Sequence, residues 1–201
     1  MLIQPGDVSM RQFYDAMVAV ITPRPIAWVS TRRRSSEGQV HDNLAPYSFF
    51  NGVGANPPTL MFCPAFKADG TPKDTHANII TSGEFVVNIV TDAFFDAMKQ
   101  SADGVAADED EFDMTDLAKV DSNCVDVPRV ADVAAAIECR LHTALQLGAG
   151  PGGANLIVGH IVAIHVDEAV LGDEGQVDPE KVLTIGRMGG PRYTDTQNRF
   201  E

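Results

Sequence analysis

The run Ala135-Ala-Ile-Glu-Cys-Arg-Leu-His-Thr-Ala-Leu-Gln-Leu147, then Gly148-Ala-Gly-Pro-Gly-Gly-Ala154, then Asn155-Leu-Ile-Val-Gly-His-Ile-Val-Ala-Ile-His-Val166, decides the fold class. Its middle, Gly148 to Gly153, is a literal G-x-G-x-x-G. In a dinucleotide-binding βαβ unit that loop must open a helix, whose N-terminal amides hold the pyrophosphate. Here the loop leads into Leu156-Ile-Val158 and Ile161-Val-Ala-Ile164, apolar and β-branched, which is strand composition. The glycines therefore predict the connection of a long antiparallel hairpin, Ala135 to Leu147 with Asn155 to Val166. They do not predict a dinucleotide site.

Upstream of that hairpin the chain keeps the same character. Ile26 to Ser30 is short and apolar, entered through Pro23 and Pro25, which favour extended backbone. Arg32 to Gln39 is polar with Gly38 and has the composition of a hairpin tip. Ala45 to Phe50 returns as a second strand, with Pro46 placing it at an edge or a bulge. Thr59 to Cys63 and Glu84 to Val90 are further strands. In the latter, Phe85, Val87 and Ile89 alternate with Val86 and Val90, so both faces are expected to be covered. Two helices are expected, Thr75 to Ser82, with Thr75 as cap and Gly83 as stop, and Asp92 to Ser101, with Asp92 as cap. The acidic stretch Asp108 to Asp113 predicts an exposed loop. Lys181 to Tyr193 ends in a Gly-Arg-Met-Gly-Gly turn. The class is mainly β with peripheral α, and many antiparallel strands without a βαβ repeat favour a closed or half-open barrel.

At 201 residues the chain suits a single domain over 1–201. Fifteen basic residues against twenty-eight acidic ones leave a formal charge of −13, which repels nucleic acid and anionic membrane. No apolar run approaches the ~20 residues of a bilayer span, and Met1 to Asp7 lacks the pattern of a signal peptide. Cys63, Cys124 and Cys139 form no C-x-x-C pair and sit among apolar residues, the pattern of buried reduced thiols in a cytoplasmic protein. No metal site is expected. His160 and His165 are five apart on a strand and point to opposite faces, while His41, His76 and His142 lack a partner at ligand spacing on one element. The acidic run lacks the central glycine of a calcium loop, and there is no G-x-S-x-G elbow or P-loop lysine signature.

Three strings carry denser chemistry. Pro23-Arg-Pro-Ile-Ala-Trp-Val-Ser-Thr31 sets an arginine before a strand and two hydroxyls at its end. Asp42-Asn-Leu-Ala-Pro-Tyr-Ser-Phe-Phe-Asn51 supplies Asn43, then Ser48, then two aromatics. Lys73-Asp-Thr-His-Ala-Asn78 places a lysine and a threonine at a helix N-terminus, where free amides and the helix dipole favour an anion. Taken together, in this order, they resemble the flavin reductase-like FMN-binding split-barrel family. The resemblance is strong from Pro23 to Val90 and continues weakly through Gly159 to Val166, Gly186 to Gly190 and Tyr193.

That resemblance implies a six-stranded antiparallel split β-barrel that dimerises and binds FMN in a groove near the subunit interface. The strand with Ser30 and Thr31 and the one with Ser48, Phe49 and Phe50 would run along the flavin. Asn43 and its neighbours Leu44 and Ala45 would meet the pyrimidine edge, and Ser48, Lys73 and Thr75 the phosphate, with Arg24 a further candidate. Arg24 or Arg187 would place positive charge near the flavin. The implied activity is flavoprotein oxidoreductase chemistry of the flavin reductase type, with NADH or NADPH as donor and no side chain acting as acid or base. The rival is a non-catalytic FMN-binding electron carrier that docks on a redox partner protein. Arg32 to Arg34 would reach a nucleotide phosphate or form a solvated tip.

Overall fold

Seven antiparallel strands form one sheet in the computed structural model, which describes residues 1–106, 109–198 and 200. In chain order they are β1 (Ala27–Arg34), β2 (Val40–Tyr47), β3 (Phe50–Ala55), β4 (Pro58–Phe62), β5 (Glu84–Ile89), β6 (Ala135–Leu147) and β7 (Ala154–Val166). Their spatial order is β2-β1-β5-β6-β7-β4-β3. The expected long hairpin is β6–β7, paired from Ala154 opposite Leu147 to Val166 opposite Ala135. Gly148, Gly150 and Gly152 take positive φ in its connection, a conformation that favours glycine. No helix opens there.

The two rims of the sheet, β2 and β3, are neighbours in sequence, separated by Ser48 and Phe49 alone. Residues 40–55 therefore run along one rim, turn at Ser48-Phe49 and continue along the other. This break raises the strand count from the expected six to seven. Among the described residues no ladder joins β2 to β3, so the sheet is curled and not a closed barrel. Pro46 lies on an edge strand, where its missing N–H leaves no gap in a ladder.

Alternation along β1 and β5 builds two cores. Ala27, Val29, Phe85 and Val87 point one way, with Tyr47, Leu60, Phe62, Cys139, Ile157 and Ile79. Trp28, Val86 and Val90 point the other way, under Met98, Phe112 and the apolar residues of 125–133. Each buried Val, Leu, Ile, Phe or Met among them contributes about 1.5–3 kcal/mol. The Phe85 ring lies across β7 where Gly159 has no side chain; a Cβ there would sit 2.4 Å from Phe85 Cζ.

The helices are peripheral. Helix α1 (Met10–Val20), an addition to the two expected, opens with a capping box between Ser9 and Gln12. Helix α2 (Asp74–Ser82) stops at Gly83 in the left-handed region, as expected, but its cap is Lys73 and not Thr75. The Asp92 to Ser101 segment is a 3-10 turn followed by α3 (Phe95–Gln100), capped at Thr91 and Phe94 without side-chain bonds. The acidic stretch is not an exposed loop. Helix α4 (Glu111–Met114) buries Glu111 and Phe112, while Asp108 lies outside the described residues. Arg32 to Arg34 belong to β1, and the tip is confined to 35–39. Cys139 is buried, but Cys63 is half-buried and Cys124 exposed, so the buried-thiol expectation holds for one of three. No helix among the described residues is long and apolar enough to cross a membrane.

Candidate functional site

Helix α2 packs over β1 and β2, and the register there sets Thr31 opposite Asn43. Asn78 Nδ2 donates to Thr31 Oγ1 at 3.0 Å. Four residues further along β2, the Tyr47 hydroxyl donates to Thr75 Oγ1 at 2.8 Å, and burial holds that phenol well above its ordinary pKa. Lys73 Nζ lies 6.0 Å from the centroid of the Tyr47 ring and makes no ion pair among the described residues. The α2 N-terminus has no side-chain cap, so its first-turn amides present partial positive charge. Asn43 Nδ2 is buried with no acceptor among the described residues, an uncommon state that costs about 1–3 kcal/mol unless something else accepts the bond. Thr31, Asn43, Lys73 and Thr75 are thus gathered on one side of the sheet, with Ala45 between Asn43 and Tyr47 on the same face.

A second group meets at the Ser48 corner. Arg24, 6% exposed, donates to Val18 O at 2.8 Å, Ile21 O at 2.5 Å, Met188 O at 3.1 Å and Ser48 Oγ at 3.4 Å. Its guanidinium also lies 5.8 Å from the Phe49 ring. Burial lowers its pKa, and as a guanidinium it stays charged. Beside it opens a cavity of about 460 Å³ that reaches from α1 to Arg187 and Tyr193 and includes Tyr47 and Ser48 in its walls. Arg187 donates to the Tyr193 oxygen, and its guanidinium stacks 4.3 Å from that ring. Of the two arginines with candidate roles near a flavin, Arg24 is committed to protein acceptors, whereas Arg187 meets no carboxylate among the described residues.

Other candidates are placed elsewhere. Ser30 is fully buried on the far face, donating to Pro128 O at 2.6 Å and accepting from Asn88 Nδ2 at 3.3 Å. The Leu44 side chain is in the core around Trp28 and Phe112, and its N–H donates to Glu111 Oε2 at 3.0 Å. Phe50 packs against the core around Phe62 and Phe85. Arg32 grips Asp42 through two bonds of 2.7 and 3.0 Å and reaches Asp126, which also holds Arg34. Lys119 bridges Asp42 and Asp110. These pairings tie the arginines to the protein's own acids. His160 does not join His165. It lies with His142, ring centroids 4.4 Å apart, while His165 contacts buried Glu138. Burial would raise the Glu138 pKa, but N–H bonds from Asn123 and Cys124, with His165, hold it below its ordinary value, and the Val125 N–H also donates to it.

Sequence reasoning missed Glu111. It is buried, and that burial, against the Leu44 N–H and reinforced by Asp110 and Asp74, pushes its pKa up to about 7. The one signal was Phe112, an aromatic set inside an acidic run.

The donor set fits a ligand with a phosphate and ring carbonyls. Lys73 and the uncapped helix start suit a phosphate, and the orphaned Asn43 amide suits a carbonyl. Similarity to known proteins points the same way. The family model for the flavin reductase like domain matches residues 19–181. A protein of Deinococcus radiodurans is 38% identical over 191 residues, 94% of this chain and 82% of the relative. Among solved structures, nitrilotriacetate monooxygenase component B from Bacillus cereus superposes with a TM-score of 0.91 at 32% identity, covering 100% of this chain and 98% of that one. The 2-nitrobenzoate 2-nitroreductase NbaA of Pseudomonas fluorescens superposes at 0.86 and 30%, covering 100% and 94%.

Proposed function

The chain belongs to the flavin reductase-like family, and on that premise we propose that it is an FMN-dependent oxidoreductase with NADH or NADPH as electron donor. What FMN supplies when bound is hydride and electron transfer, and the protein supplies position and charge. The observation that carries the reading is the buried Asn43 amide, without an acceptor among the described residues, on the same side as Lys73 and the bare α2 N-terminus. In this assignment Lys73, Thr75 and the α2 amides hold the phosphate, with Ser48 at the corner. Asn43 donates to the pyrimidine edge, while Thr31, Ala45, Phe49 and Phe50 shape the groove. Ser30 and Leu44 act behind it, fixing β1 and β2 through Pro128 and Glu111. Arg24 orders the corner and does not offer a free charge.

No acid or base is required of these residues. Tyr47, held protonated by burial, orients Thr75. The named relatives act as a monooxygenase component and a nitroreductase, which supports an enzyme over a docking electron carrier. We assign the whole chain, 1–201, to one domain acting as a homodimer. Support comes from Leu145 and Leu147, 53% and 51% exposed on the distal hairpin, an apolar surface that a second copy would cover. The test is an absorption spectrum of the purified protein with added FMN, before and after anaerobic NADH or NADPH. Uptake of the flavin and rapid bleaching of its visible band are expected. Uptake without bleaching by either donor would make it a carrier, and no uptake would refute flavin binding.

A further inference from the structure

The family match ends at residues 19 and 181, and eight of the fifteen residues that wall the cavity beside Ser48 lie outside those limits. Tyr14 and Val18 of α1 form one side, Arg187 and Tyr193 the other, and Ile26 and Met98 lie in the same lining. We propose that this cavity is a binding site for a small aromatic carboxylate, anchored by the Arg187 guanidinium next to the flavin groove.

Charge makes the first selection. On a chain of −13, the cavity brings together Arg11, Arg24 and Arg187 against Asp15. Arg11 is paired with Asp15 at 3.0 Å, and Arg24 is spent on three carbonyls and a hydroxyl. Arg187 remains, half-buried, with Tyr193 as its partner and no acid beside it among the described residues. A single planar guanidinium matches a carboxylate through two parallel N–H···O bonds. A phosphate dianion would leave one charge unmet: the α1 start that borders the cavity at Arg11 is already capped by Ser9, and no second uncommitted cation lines the cavity among the described residues.

The walls select the rest of the ligand. Tyr193 is fixed edge-on against Phe95, centroids 4.8 Å apart, and Tyr14 edge-on against Phe49 at 6.5 Å. Two anchored rings and an aliphatic lining around one cation favour a flat apolar body with one anionic head. The volume, about 460 Å³, is at the lower end of small-molecule sites. The walls combine α1 and the 187–193 segment with Arg24, Ile26, Tyr47, Ser48 and Met98 of the matched region, which sets the cavity directly beside the flavin groove. The proposal rests on the flavin reading for its neighbour at Ser48.

The test is calorimetric titration of benzoate into FMN-loaded and FMN-free protein, with benzamide as the neutral isostere. Benzoate should saturate one site per chain, and benzamide should bind about ten-fold more weakly or worse, the factor expected for a charge-assisted contact. Arg187→Gln should weaken benzoate by about ten-fold or more, with Arg187→Lys intermediate. Tyr14→Ala, on the opposite wall, gives a second variant that should also weaken benzoate. Equal binding of benzamide, no benzoate binding, or no loss in Arg187→Gln would overturn the proposal. So would displacement of benzoate by FMN, since the cavity would then belong to the flavin. Protein that takes benzoate through Arg187 but no FMN would refute the flavin reading alone.

Discussion

Glu111→Gln should make the protein more stable at pH 8 and nearly neutral in effect at pH 5. Burial lifts the Glu111 carboxyl from its ordinary 4.5 to about 7, with Asp110 and Asp74 adding to the effect and the Leu44 N–H opposing it. The folded state therefore keeps a proton that the unfolded chain releases. Stability from this group is fully present below about pH 4.5, declines as pH rises, and is lost above about pH 7. At 1.36 kcal/mol per pKa step, that gap sets an upper bound of about 3 kcal/mol. The carboxyl is not sealed from solvent on every side, so about 1–2 kcal/mol is the expected effect. Glutamine keeps an oxygen to accept the Leu44 N–H, whose bond of 3.0 Å ties α4 to the rim strand β2. Urea unfolding of both proteins from pH 5 to 8 gives the answer: the variant's profile should be flatter and rise above wild type toward pH 8. Parallel profiles, or a variant weaker at pH 8, would refute the assignment of a buried proton to this site.

Lys73→Ala should weaken FMN binding by about 1.5–3 kcal/mol, read by flavin titration, because a charged contact to phosphate is lost. Unchanged affinity would remove Lys73 from the phosphate site. Gly159→Ala should cost about 1–3 kcal/mol in urea unfolding, since the new Cβ meets the Phe85 ring at 2.4 Å and that ring is boxed in by Phe62 and Cys139. Adding Phe85→Leu should recover part of that loss, and a strictly additive double variant would argue against the clash.

Elements whose signals are local were legible in the sequence. The β-branched run of 155–166 outweighed the glycine motif before it, and Gly83 marked the end of α2 where its positive φ is found. Helix α1 carries a local signal too, in Ser9 and Gln12, but it was not among the expected helices. Long-range pairing was not legible. Arg32 and Arg34 meet Asp126 across more than ninety residues, so a run of arginines that reads as a solvated tip is held by a distant acid. The same limit hid Glu111, whose acceptor role depends on a strand 67 residues away. His142 and His160 meet only because the hairpin folds 142 back against 160, which spacing along one strand cannot show. Of the site, the strings placed Thr31, Asn43, Lys73 and Thr75 on one side, but Ser30 and Leu44 alternate to the other face.

The Arg24 guanidinium binds the end of the first helix, the corner between the two rims and the turn at Met188 with one side chain. It works as a keystone. Trimming either terminus would strand a buried positive charge without its acceptors, so the loosening would spread to the opposite end of the chain and to the Ser48 bend. The head and tail of this polypeptide are mechanically one part.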